Sequence, residues 1–385
     1  MRIAYLTNSS DRSGVGYRAL EIKKHIRAGK EGVTICDFHL DGGRGLLSKE
    51  GRPADWVSTK FGFKNKSINW IRLGNRWKKY IRQRDKRQYD LWHITNQSLS
   101  WLTRSAVQPT VVTVHDLIEL TDPQHKLSKY VNRYLLSGIK DATQIIAVSK
   151  YTAGEVKKYY GISGDKITVI YNGVGNEWQH IEHYRDTIGY QAAKKKWGIG
   201  NDTKIILFVG SDHPRKNAGA AIHVLGELIK QGQNVMLLKA GAAGILAERE
   251  KLLAKIDQAG LRSRVKFIGD VSNEELNELY NMCDMLLFPS TNEGFGLPLV
   301  QAMATQLPIV TVKATAIPEV VGNASIMCQA GDEKAMVQGV RDVLVNERLR
   351  DQLKALGKKQ VEHFSWEKSA RQVIDVYKKV LWAKD

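Results

Sequence analysis

Arg215 and Lys216 stand near the end of Gly210-Ser211-Asp212-His213-Pro214-Arg215-Lys216-Asn217, between an apolar run over 204–210 and a helical pattern. Proline suits a helix start, and the amide groups left free there attract anions. Two fixed cations at that point suit a diphosphate, although a solvated basic turn has the same composition. A second run, Thr291-Asn292-Glu293-Gly294-Phe295-Gly296-Leu297-Pro298, follows an apolar stretch over 285–290 and opens a helix through Thr305. Gly294 and Gly296 allow close backbone approach to a ligand. Glu293 would repel a phosphate yet can accept hydrogen bonds from sugar hydroxyls, and its alternative use is to complement the helix dipole. His115 ends the run over 110–115, just before Asp116. Histidine exchanges protons or donates a hydrogen bond near neutral pH; a structural histidine is the other reading. Gly14 and Gly16, with Ala19 and Asp37, approximate the dinucleotide fingerprint Gly-x-Gly-x-x-Ala. Six residues separate them from Thr7, however, where that motif puts its first glycine directly off the strand. A flexible glycine loop at the mouth of a cleft fits them better.

The elements that must position these residues recur with one plan. Short Val- and Ile-rich runs over 2–8, 33–38, 91–95, 110–115, 144–149 and 166–172 form a first series. Runs over 204–210, 234–241, 265–270, 285–290, 308–313 and 325–329 form a second. They are uniformly apolar rather than alternating, as strands covered on both faces of a parallel sheet are. Helical patterns, such as those over 218–230, 273–283 and 335–346, lie between them. The alternation predicts an α/β chain of two doubly wound domains, over 1–180 and 200–365. The join is expected in the polar stretch 175–201, which contains Lys194-Lys195-Lys196. Ligands of such sheets sit beyond the carboxyl ends of the strands, so two facing sheets would share one cleft.

The chain has 385 residues, is 43% hydrophobic and 25% charged, and carries a net charge of +18. These values exclude disordered, collagenous and disulfide-scaffold classes. Cys36, Cys283 and Cys328 are too scattered for a zinc cluster, which fits a reducing compartment, the cytoplasm. No apolar run reaches the roughly 18 residues of a spanning helix, and the opening residues are too short an apolar stretch for a signal peptide. The positive excess implies an anionic partner. Nucleic acid is not expected, because no helix-turn-helix, zinc-finger spacing or RNP-type strand is present. Residues 60–87 hold 11 Lys or Arg and the single acid Asp85, with Trp70, Leu73, Trp77 and Ile81 at helical spacing. A basic helix with such anchors lies on an anionic membrane surface, or it docks its tryptophans on its own domain.

The ordered pieces AVSKYTAGEV, ITVIYNGV, ILFVGSDHPRKN, VKFIGDVSNEELNELYNMCDMLLFPSTNEGFGLPLVQAM and AIPEVVG resemble glycosyltransferase family 4. Members are retaining, nucleotide-sugar-dependent enzymes of the GT-B fold. The resemblance covers essentially the whole chain and is strongest over 140–325. It implies two Rossmann-like doubly wound domains facing across a cleft, with a final helix, 366–385, packing back on the first. Arg215 and Lys216 would hold the donor pyrophosphate, helped by amides of Gly294, Phe295, Gly296 and Leu297. Glu293 would contact the donor sugar, His115 would lie beside the reacting sugar, and Gly14 and Gly16 would line the cleft near the phosphates. The base would rest against 268–272, including Gly269 and Val271. The second signature carboxylate is replaced by Gln301, whose amide oxygen still accepts from a ribose hydroxyl, without charge assistance.

The implied reaction moves a hexose from a GDP- or UDP-sugar to a glycan or lipid-linked acceptor in polysaccharide biosynthesis, at the inner face of the membrane. No Asp-x-Asp metal motif occurs in the sequence, so no metal is expected and the cations and helix start take its place. A sugar-nucleotide epimerase of the same design and a basic nucleic-acid binder are the alternatives.

Overall fold

The computed structural model describes residues 1–11, 13–29, 31–41, 45–48, 88–106, 109–121 and 126–382. The expected membrane helix over 60–87 lies outside the described residues. All twelve predicted apolar runs contain a strand. They are β1 (Arg2–Thr7), β2 (Thr34–Asp41), β4 (Leu91–Ile94), β5 (Thr110–Val114), β6 (Gln144–Ala147), β7 (Ile167–Val169), β8 (Lys204–Val209), β9 (Val235–Ala240), β10 (Val265–Gly269), β11 (Met285–Phe288), β12 (Ile309–Lys313) and β13 (Ile326–Gln329). A thirteenth, β3 (Gly45–Ser48), was not foreseen; it pairs antiparallel with β2 at the sheet edge. Every residue of β4, β5, β6, β9 and β11 is buried. Cover on both faces is why these strands read as continuous apolar runs.

Contacts divide the chain into two units, Met1–Gly173 with Ser365–Asp385, and Val174–Phe364. The first holds the sheet β3-β2-β1-β4-β5-β6-β7 and the second the sheet β10-β9-β8-β11-β12-β13. Strand order reverses between β1 and β4 in one, and between β8 and β11 in the other. Such switch points open a crevice outside the carboxyl ends of the strands. The join at Gly173 corrects the expected position within 175–201. That polar stretch belongs to the second unit, because Gln179 N donates to Asn277 Oδ1 at 3.2 Å and Ile181 N to Asn281 Oδ1 at 2.7 Å.

The first helix of the first unit, α1 (Gly14–Ala28), takes the final helix, Trp366–Trp382, against it, with Tyr17 edge-on to Trp366 at 5.7 Å. Gly14 and Gly16 are therefore the first turn of α1, which corrects the expectation of a flexible loop. Ser13 caps the helix, its hydroxyl accepting from Gly16 N at 3.0 Å. A Cβ on Gly16 would lie 2.0 Å from the Ser10 carbonyl oxygen. Gly16→Ala is accordingly expected to cost about 2–3 kcal/mol of unfolding free energy, read from urea titrations.

Candidate functional site

The switch point of the second unit gathers the residues with the strongest chemical signature. The loop over 210–217 leaves β8 and ends at α4 (Ala218–Lys230); the loop over 289–296 leaves the neighbouring strand β11 and ends at α7 (Leu297–Ala304). Two adjacent strands thus bring together residues some 77 positions apart. Arg215 is locked by its own backbone: its carbonyl accepts from Thr291 N at 2.8 Å, and its amide donates to His213 Nδ1 at 3.3 Å. Its side chain donates to the Asn292 carbonyl at 2.9 Å.

Glu293 is 7% exposed, and one oxygen carries its contacts. Lys216 Nζ lies 2.5 Å from Oε1, Arg215 Nη1 3.2 Å from it, and Ser290 Oγ donates to it at 2.6 Å. Burial pushes the carboxyl pKa up, but Lys216 and then Arg215 outweigh it, with the Ser290 hydroxyl adding to them. Glu293 is held below its ordinary range and ionised. With these contacts on Oε1, Oε2 is left to accept a ligand hydroxyl.

The backbone of Glu293 is pinned from a third strand. Its amide donates to Thr315 Oγ1 at 2.9 Å, in the loop after β12. Thr315 adopts φ 47°, a left-handed conformation that a β-branched residue rarely takes. Sequence reasoning missed Ser290 and Thr315; the short hydroxyl side chains just past two strand ends were their only signal.

Gly296 precedes α7 with φ 98°, which favours glycine, and Pro298 occupies the first turn. Leu297 opens that helix, and Phe295 is buried edge-on to Phe364 at 5.5 Å. Gln301 is buried on α7, and its Oε1 accepts from the Tyr280 hydroxyl at 3.0 Å. The amide oxygen expected to meet a ribose is therefore held by a neighbouring tyrosine. Gly269 ends β10. Val271 and Ile268 line a cavity of about 490 Å³ whose other walls include Tyr184, Trp197 and Met282.

His115, Gly14 and Gly16 belong to the first unit. His115 follows β5 and is 7% exposed. Its Nε2 lies 2.9 Å from the Thr95 carbonyl, which only accepts, so Nε2 carries the proton and Nδ1 the lone pair. Its amide donates to Gln97 Oε1 at 3.1 Å. Burial, then the Arg18 charge, pulls its pKa down to about 3. The expectation of proton exchange near neutral pH is corrected: this imidazole stays neutral there and its N–H is committed.

Arg18, on α1, is itself buried and donates to Asn172 Oδ1 at 2.6 Å and the Tyr171 carbonyl at 3.2 Å. His93 lies between Tyr377 and Thr113 and is also drawn to about 3, again chiefly by burial. Both histidines bind protons more weakly folded than unfolded, where the pKa is about 6.5. Their contribution to stability is complete above that value and is lost as pH falls toward 3. The slope is up to about 1.4 kcal/mol per pH unit for each histidine. Urea midpoints taken between pH 7 and pH 5 should fall accordingly, and His115→Asn should flatten the decline.

Among the described residues, no group of three His, Cys, Asp or Glu side chains is arranged to hold a metal ion. None of the described helices is long and apolar enough to cross a membrane.

Comparisons with known proteins place this geometry in a family. Residues 12–177 match the description Glycosyltransferase Family 4, and residues 190–360 match Glycosyl transferases group 1. The serotype-specific mannosyltransferase WbdA of Escherichia coli is 31% identical over 283 residues, covering 71% of this chain and 34% of WbdA. The chain thus spans about a third of the length of that relative. The O-antigen chain mannosyltransferase B of Escherichia coli is 24% identical over 380 residues, covering 95% of this chain and 96% of its own. The crystal structure of Anabaena HepE in complex with UDP and glucose superposes with a TM-score of 0.75 at 18% identity, covering 98% of this chain and 100% of that one. With both halves matched in order and the fold shared along the length, the chain belongs to glycosyltransferase family 4 and has the GT-B fold.

Proposed function

We propose that the chain transfers a hexose from a GDP- or UDP-sugar to a glycan or lipid-linked acceptor, with retention of configuration and without a metal. The observation that carries this is the convergence of Arg215, Lys216 and Glu293 at the β8–β11 switch point. A nucleoside diphosphate leaves with growing negative charge, and preorganised cations there lower the barrier. The first-turn amides of α7 would add to them.

The base is assigned to the Gly269–Val271 segment, the phosphates to Arg215, Lys216 and the amides around Gly294, Phe295, Gly296 and Leu297, and the donor sugar to Glu293. Gln301 is assigned to the ribose side. His115, Gly14 and Gly16, which belong to the first unit, are assigned by the family resemblance alone, His115 to the reacting sugar and the two glycines to the phosphates. In the retaining step the acceptor hydroxyl attacks the face the diphosphate is leaving. Its proton passes to a departing phosphate oxygen, so charge and atoms balance without an enzyme nucleophile.

Relatives named as mannosyltransferases, and the HepE complex with UDP and glucose, support a hexose and a nucleoside diphosphate. The absence of Asp-x-Asp in the sequence supports metal independence.

The test is a thermal-shift screen against GDP, UDP and their hexose conjugates, followed by an acceptor assay in EDTA. A ligand at 100 times its dissociation constant adds about 2.7 kcal/mol. Selective stabilisation by one diphosphate, transfer unaffected by EDTA, and an NMR-assigned retained anomer are expected. Loss of turnover in EDTA, inversion, or turnover of the donor with no acceptor would overturn the respective part.

Peripheral attachment to an anionic membrane through 60–87 belongs to the same proposal, resting on that segment's 11 basic residues and its tryptophans. Neutralising Lys78, Lys79, Arg82 and Arg84 should release the protein from acidic vesicles, and undiminished binding would overturn it.

A further inference from the structure

Asp212 lies inside the 210–217 loop, and none of the assignments above uses it. Its carboxylate is buried between two cations, with Lys239 Nζ 2.6 Å from Oδ1 and Arg249 Nε 2.6 Å from Oδ2. Lys239 is 1% exposed and interrupts the apolar strand β9, Val-Met-Leu-Leu-Lys-Ala. Its ammonium also donates to the Gly210 carbonyl at 3.0 Å and faces the rings of Phe208 and Phe267 at 5.4 and 5.9 Å. Burial holds its pKa below the usual lysine range, against the pull of Asp212.

A buried ion pair seldom stabilises a fold more than apolar packing of the same volume. Stability alone therefore does not account for a lysine in the middle of a strand. Its geometry does: through one ammonium group it grips the first and third residues of the loop that ends in Arg215 and Lys216. Arg249, on α5 (Leu246–Gln258), extends the grip sideways. One edge of its guanidinium meets Asp212, and its centre lies 4.2 Å from the centroid of Phe267 in β10. That strand runs directly into Gly269 and Val271.

We propose that Asp212, Lys239 and Arg249 form a positioning triad that presents Arg215 and Lys216 to the donor diphosphate and ties their loop to the segment assigned to the base. The triad rests on the reading of Arg215 and Lys216 as diphosphate ligands. Asp212 is its pivot, Lys239 its anchor in the sheet, and Arg249 the bridge between the two loops. None of the three touches the ligand.

The bridge is the member to test, because the Arg249 side chain is 21% exposed and its removal leaves the Asp212–Lys239 pair intact. Arg249→Met is expected to keep a near-native melting temperature while weakening binding of GDP or UDP, whichever the wild type prefers, about tenfold by calorimetry. The same substitution placed on Arg215→Ala/Lys216→Ala should change affinity less than about twofold, because the cations it positions are gone. A residue with a merely structural role would give the same factor in both backgrounds.

Unchanged affinity in Arg249→Met, or equal losses in the two backgrounds, overturns the triad while the diphosphate reading stands. Full nucleotide affinity in Arg215→Ala/Lys216→Ala overturns both. Should Arg249→Met not fold, Arg249→Lys carries the same cycle. It keeps a cation on Asp212 but loses the flat face against Phe267, so an intermediate loss of about threefold is expected, and none would overturn the bridge.

Discussion

With Arg215 and Lys216 both replaced by alanine, kcat/KM for the nucleotide-sugar is expected to fall about 10³- to 10⁵-fold. Removing one preorganised donor from a site where charge develops costs about 10²–10³ in rate, and these two cations share one carboxylate and one loop. Their losses should therefore fall short of additive. Lys216→Arg, which keeps the charge, should retain more activity than Lys216→Ala. The double variant leaves Glu293 buried with only the Ser290 hydroxyl from its present set, so its carboxyl should titrate higher. A melting curve above and below neutral pH separates that destabilisation from the kinetic loss. Turnover within tenfold of wild type in a folded double variant would remove both cations from the mechanism.

Glu293→Gln should divide binding from turnover. In the free protein the carboxylate offsets one of the two positive charges assigned to the diphosphate. An amide at that position still accepts from Ser290 but withdraws the negative charge. The diphosphate then meets two uncompensated cations, and GDP or UDP should bind several-fold more tightly. The contact through Oε2 to a donor-sugar hydroxyl loses its charge assistance at the same time, and kcat should fall about 10²-fold. Calorimetry with the free diphosphate and steady-state kinetics with the sugar conjugate read the two effects separately. Weaker diphosphate binding in the variant would place Glu293 away from the phosphates. An unchanged kcat would free it of the donor sugar.

Much of this arrangement is legible along the chain. All twelve apolar runs contain strands because both faces of the two sheets are covered, and burial on both faces leaves no alternation to misread. The strand missed, β3, is an edge strand of four residues, and a short antiparallel edge lacks the apolar signal that two-sided cover imposes. The loops carrying Arg215, Lys216 and Glu293 were identifiable because each lies between an apolar run and a helix start containing proline. The glycine turn was misread for a related reason: Gly14 and Gly16 suggest freedom, whereas the capping hydroxyl of Ser13 and the contact with Ser10 make them the rigid opening of α1.

Residue type and spacing along 385 positions determined the family, the strand series and which two loops carry the basic and acidic residues, because those properties depend on local pattern and on order. Protonation and contact were decided only by the tertiary structure. His115 is reactive by type, yet burial and the Arg18 charge keep it neutral, with its N–H held by the Thr95 carbonyl. Lys239 looks like an interruption of a strand until Asp212 and Arg249 are seen around it. A dielectric environment and the partners that fill it come from distant segments folded together, and no window of sequence contains them.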